Sequence, residues 1–135
     1  MITEDYVSFE TAKLLKEKGF DEPCMFLYFA KYKPEGDFKG NFNETKNSEI
    51  NELSYSAPTL QMAMKWLRKN HNIHIAIVPY EVGPGVMDYT YILYEIDVKN
   101  FFFRDLNIQG RANTDKISTS KTCEAAIKYC LKNLI

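Results

Sequence analysis

Both histidines of the chain fall in one short stretch, NHNIHIAIVPY, residues 70–80, as His71 and His74. On a continuous helix an H-x-x-H spacing lets two imidazoles share a metal ion, because residues three apart lie on one face. A zinc site needs three or four convergent ligands. No Cys, Asp or Glu lies within the ten residues before His71, and the nearest acid downstream is Glu81. The helical pattern ends near Asn72 and a strand pattern begins at Ile73, so the two rings are expected to point in unrelated directions. The stretch reads as a helix-to-strand junction, with His71 near the exposed carbonyls of a helix end. No metal and no cofactor is expected.

The three cysteines make no better case. Cys123, Ala126, Ile127, Cys130, Leu131 and Leu134 recur at the spacing of one helical face. Cys123 and Cys130 therefore read as small buried hydrophobes, and two helical turns separate them too widely for a disulfide. Cys24 opens an aromatic strand. The glycines of VGPGV (82–86) lack the lysine and following helix of a phosphate loop. No G-x-S-x-G occurs, and the hydroxyls of SFET, SAPT and STSKT sit where helix caps are needed. Lys31 and Lys33, beside aromatics, would suit nucleic acid, but given the net charge a solvated strand edge is the better explanation. No catalytic residues are assigned.

The strongest remaining arrangement involves His74. Ile73, Ile75 and Ile77 alternate with His74, Ala76 and Val78, and a partner strand follows at 89–98. If the isoleucines share a face with Ile92, Tyr94, Ile96 and Val98, the hairpin register places His74 opposite Glu95, or, two residues along, opposite Asp97. In the first register Tyr91 faces Val78. Directly opposed residues are within reach of contact. His74, Tyr91, Glu95 and Asp97 are therefore the candidate binding residues. A cross-strand pair with a purely structural role accounts for the same contact.

The elements that position these residues follow from period and punctuation. Ser8 caps a first helix that ends at Gly19, with Phe9, Ala12 and Leu15 on its apolar side. CMFLYFAKY (24–32) is a strand, PEGD a turn, and FKGNFN a weak return strand. Residues 43–54 are polar and without period, and are expected to form a mobile loop. APTLQMAMKWLRKNHN is a second helix with Leu60, Ala63, Met64 and Leu67 in register. EVGPGVMD is a turn between two strands, FFFRDL a further strand, and NIQGRANTDKISTS a loop. TCEAAIKYCLKNLI is the last helix, capped by Thr122. Short turns between strands imply antiparallel pairing. The expected fold is α+β, an antiparallel sheet of three to five strands covered by three helices, in a single domain of residues 1–135.

The stretches YVSFETAKLLKEKGF, YSAPTLQMAMKWLRKNHNIHIAIVP and KTCEAAIKYCLKNLI resemble a group of small phage- or prophage-encoded proteins of unknown function, and more loosely the phage α-β-α sandwich domain. In that group an APTLxxAxKWLR helix runs directly into an IHI strand. Here TCEAA stands where a longer acidic helix start is the pattern. The resemblance implies a mobile-element origin and a bacterial cytoplasmic setting, and brings no activity or site residues with it.

Composition limits the function. The chain has 135 residues, a net charge of −1, 45% hydrophobic and 26% charged residues. It is long enough to bury a core without disulfides or metal. Its charge lacks the basic footprint of a duplex binder. It shows neither a signal stretch nor an apolar run long enough to span a membrane. Nine Tyr, nine Phe and one Trp make 14% of the chain aromatic, enough to furnish a binding face as well as a core. The expectation is a non-enzymatic cytoplasmic protein that binds a protein partner or itself, without membrane or nucleic acid. An enzyme or small-ligand site around His74 is the alternative, and a nucleic-acid accessory protein a further one.

Overall fold

Ser8 leaves the extended region and accepts a hydrogen bond from the Thr11 amide, which starts helix α1 (Phe9–Glu17). Gly19 and Phe20 close it by donating back to the Lys16 and Leu15 carbonyls. The computed structural model describes residues 3–31, 34–112 and 118–135, and only the backbone of Asn41 and Phe42. After α1 come strands β1 (Cys24–Phe29), β2 (Asp37–Thr45) and β3 (Ser54–Ser56). Helix α2 (Leu60–His71) follows, then β4 (Ile73–Gly83), β5 (Val86–Asp97), β6 (Phe102–Gly110) and helix α3 (Thr119–Asn133). The fold is α+β, with three α-helices and antiparallel pairing throughout among the described residues.

The strands form two sheets, β2-β1-β3 and β4-β5-β6, where the sequence pointed to one. Each sheet grows from a hairpin and recruits its third strand from its own part of the chain. The chain accordingly divides into two compact units, Met1–Ala63 with Ile135, and Met64–Leu134. Their boundary falls inside α2, so no linker composition announces it.

In the first unit, Val7 and Leu60 amides donate to the Pro58 and Asp5 carbonyls, and Tyr6 bridges Thr59. Phe26, Tyr28 and Phe38 share a face of the first sheet and gather the Tyr6 and Phe9 rings upon it. Such aromatic pairs add stabilisation beyond the area they bury. The segment 43–54, expected as an irregular loop, carries the end of β2, a 3-10 turn at Asn47–Glu49 and the start of β3. Polar pins impose this order. Asn47 is buried; its amide donates to the Phe20 carbonyl at 2.7 Å and accepts from the Ser56 amide at 2.8 Å. The Asp21 carboxylate accepts from the Ser48 amide and hydroxyl, which holds that acid below its ordinary pKa. Lys16 Nζ donates to the Asn51 and Ser54 carbonyls. None of these pins leaves an apolar period in the sequence.

In the second unit, α2 ends at His71 because Asn72 takes a left-handed backbone, φ 55°, and turns the chain into β4. β4 and β5 run longer than the sequence suggested, through most of EVGPGVMD, and meet at Pro84-Gly85. Proline fixes the first turn position and Gly85, at φ 72°, supplies the positive φ of the second. β6 likewise extends to Gly110, into the stretch read as loop; residues 113–117 lie outside the described ones. Helix α3 begins at Thr119, capped by Ser118, which accepts from the Lys121 amide. The Thr122 expected as the cap is one turn inside, its hydroxyl donating to the Ser118 carbonyl.

α3 packs on the second sheet with Cys123, Ala126, Ile127, Cys130 and Leu131 buried. It covers the face carrying Ile73, Ile75, Tyr91 and Leu93, where the Tyr91 and Tyr129 rings lie 6.3 Å apart. Gly110 sits under Tyr91; a Cβ there would come within 2.7 Å of the tyrosine oxygen.

Asn47→Ala removes two buried hydrogen bonds and leaves the Ser56 amide without its acceptor. The expected cost is about 1–3 kcal/mol, read as a lower urea midpoint at an unchanged slope. A loss under about 0.5 kcal/mol would mean the pins do not hold the segment.

Candidate functional site

The β4–β5 register decides which groups meet His74. Ile75 opposes Leu93, His74 opposes Tyr94 and Ile73 opposes Glu95, one residue away from the register expected from hydrophobic matching. The cause is a bulge at Val82. Gly83 pairs with Val86 at the turn, but Glu81 pairs with Met87, so one residue of β4 is left unopposed. A single-residue slip turns every side chain of β5 to the other face. The face with Thr90, Ile92, Tyr94 and Ile96 therefore joins His74, and the face with Tyr91 and Leu93 joins the isoleucines.

This corrects the candidate set. His74 meets none of Tyr91, Glu95 or Asp97. Tyr91 is buried on the opposite face, and burial together with Tyr129 and Cys130 raises its pKa. Glu95 pairs across the strands with Arg104, and the two form an exposed salt bridge. Asp97 accepts from the Asn100 amide and side chain in the β5–β6 turn, which lowers its pKa. Both acids lie on the covered face's side of the strand, beyond Leu93 at its far end.

The neighbours of His74 are aromatic. Phe103 stands edge-on at 5.4 Å between centroids, and Tyr94 lies at 6.3 Å. The ring is half-buried, and Nδ1 is out of contact with solvent with no hydrogen-bond partner among the described residues. Burial, and secondarily the Arg68 charge, lower its pKa. His71 instead packs against Trp66, centroids 4.8 Å apart. The H-x-x-H pair is thus split by the Asn72 turn, and among the described residues no three His, Cys, Asp or Glu side chains gather as a metal site.

Around His74 the face carries Ala76, Val78, Tyr80, Ile92, Tyr94 and Ile96, all half-buried, with Phe103, Asp105 and Gln109 exposed. Two adjoining open depressions sit on it, sharing Ile92 and Gln109; one reaches Asp105 and Asn107, the other Tyr80 and Arg111. Arg111 lies 3.8 Å from the Asp88 carboxylate at the rim. This is a surface for apolar contact with a few polar groups, without a nucleophile beside a base. The cysteines stay apart from it. All three are buried and outside any disulfide among the described residues, and burial pushes Cys24 and Cys130 up to about 12. Lys31 is exposed; Lys33 lies outside the described residues.

Comparison with protein families, with curated proteins and with solved structures found no match. No helix among the described residues is long and apolar enough to cross a membrane.

The half-open face was missed from sequence because β5 is apolar on both sides. The one available signal was VGPGV, whose extra residue beside a two-residue turn allows a bulge.

The lowered pKa of His74 has a definite sign. Between its lowered folded value and its ordinary 6.5, the unfolded chain binds more protons than the folded one. His74 therefore removes stability as the pH falls through that window and is silent above it. Urea midpoints of the wild type should drop between pH about 7.5 and about 5 more than those of His74→Gln. An equal drop would contradict the burial of the ring. In the native chain at pH about 8, a thiol with pKa near 12 is only about one part in 10⁴ thiolate. Disulfide reagents should thus label no cysteine quickly, and all three on unfolding; rapid native labelling would refute the packing of α3 or β1.

Proposed function

We propose that the protein is a non-enzymatic binding protein of phage or prophage origin, acting in the bacterial cytoplasm, whose working surface is the half-open face of the second sheet. The observation that carries the reading is the continuity of that face. Val78, Tyr80, Ile92, Tyr94, Ile96 and Phe103 keep apolar or aromatic surface exposed side by side. A contiguous patch of this kind costs solubility unless a partner covers it. Tyrosine and phenylalanine are the side chains that such contacts favour, since they bring large area at small entropic cost. The phage origin rests only on the resemblance carried by YVSFETAKLLKEKGF, YSAPTLQMAMKWLRKNHNIHIAIVP and KTCEAAIKYCLKNLI.

The alternative, a small-ligand site around His74, draws on its solvent-shielded Nδ1, a polar atom that a ligand could pair. It lacks a second convergent group, since the neighbours of the ring are Tyr94 and Phe103. Single-stranded nucleic acid would find rings to stack on, but Asp88 and Asp105 on the same face oppose a phosphate chain.

A photo-crosslinking side chain placed at Tyr94 or Phe103 should capture a protein partner in cells, while the same group at exposed Lys13 on α1 should not. Phe103→Asp should reduce capture from Tyr94 at least about tenfold with the melting temperature unchanged. Equal capture from Lys13, or none from the sheet face, would contradict the reading.

A further inference from the structure

The β5–β6 turn exposes apolar surface that the fold does not use. Phe101 is 92% exposed, with Val98, Phe102 and Phe103 also exposed. Phe101 also takes a left-handed backbone, φ 58°, which a bulky side chain adopts only under strain. A turn that merely needed positive φ would be better served by Gly or Asn. The turn is held rigid, because Asp97 accepts from both the amide and the side chain of Asn100. The acids nearby are engaged, Asp97 with Asn100 and Glu95 with Arg104. Exposed Lys99 sets the charge beside Phe101.

The first unit contains an open apolar cleft. It measures about 110 Å³ and lies among Pro23, Met25, Phe26, Pro58 and Met62, with Glu44 on its rim. It is smaller than the roughly 150 Å³ cavity that encloses a whole benzene ring, and being open to solvent it can take the edge of a ring. Met25 and Met62 are 47% and 38% exposed, and flexible thioethers adapt well to an aromatic ring. The charges of the two units are complementary. The first unit has seven Lys and Arg against eleven Asp and Glu, and the second has ten against seven.

We propose that the Phe101 tip of one copy inserts into this cleft on a second copy of the chain, with Lys99 beside Glu44. Tip and cleft are different surfaces, so the contact is head-to-tail, and each copy retains one free tip and one free cleft. Growth is therefore by open chains, weakened by salt because Lys99 and Glu44 are exposed. The contact uses neither His74 nor Tyr94, and stands apart from the partner reading of the sheet face.

Sedimentation velocity of the full chain at low ionic strength tests it. The wild type should show a rising weight-average coefficient between about 1 and about 500 µM. Phe101→Ser and Met62→Glu should each stay monomeric, yet their mixture should form a one-to-one dimer, since one retains the cleft and the other the tip. Lys99→Glu should weaken association at least about tenfold, and Lys99→Glu with Glu44→Lys should restore it. The charge pair leaves the apolar residues intact, so it decides the matter if Met62→Glu fails to fold. A wild type that stays monomeric throughout overturns the proposal. So does association that survives Phe101→Ser, as a contact through another surface would, or a charge swap that restores nothing. Tip-dependent binding to lipid vesicles or to another protein, without self-association, overturns it equally.

Discussion

The second unit depends on one unopposed residue, Val82. The Pro84-Gly85 turn by itself pairs Gly83 with Val86 and would carry that register down the hairpin. It would then set His74 against Glu95, as hydrophobic matching of the two strands also favours. The bulge at Val82 shifts the pairing by one, and Glu81 reaches across to accept the Gly85 amide at 2.8 Å, which fastens bulge and turn together. Everything downstream follows. Tyr91 and Leu93 turn toward α3, while Ile92, Tyr94 and Ile96 turn to the face of His74.

The shift is favourable despite the less apolar look of the Tyr91 side. That side ends in Glu95 and Asp97, which sequence pattern counts against it. Both acids are satisfied locally, one by Arg104 and one by Asn100, so neither must be desolvated under the helix. The face left half-open then holds one polar ring among aromatics. His74 is a neutral, partly desolvated group there, which makes the same face sensitive to acid.

What could be read in the sequence was what local chemistry determines. The Ser8 cap, the Gly19 stop, the α2 stripe and the Cys123–Cys130 stripe each follow from a few adjacent residues and appear in the fold as expected. The α+β class followed from their order. What stayed hidden depends on contacts distant in sequence. β3 is three residues long and exists because β1 pairs with it. Residues 43–54 look irregular because Asn47, Asp21 and Lys16 order them through polar bonds that leave no hydrophobic period. The bulge was invisible because β5 is apolar on both faces, and that concealed the neighbours of His74: the three expected beside it, Tyr91, Glu95 and Asp97, lie on the other side of the strand.

Deleting Val82 tests most directly whether that residue is the one left out of the ladder, read as the urea unfolding free energy of the shortened chain. With Val82 gone, Glu81 joins Gly83 and still opposes Met87, so His74 keeps Tyr94 and the α3-covered face keeps Tyr91 and Leu93. Only the bulge is lost, and a change within about 1 kcal/mol is predicted. Were Val82 a paired residue of the ladder, its deletion would slip β4 by one and turn two large side chains out of the core, at about 1.5–3 kcal/mol each. A loss of about 3 kcal/mol or more would therefore contradict the account.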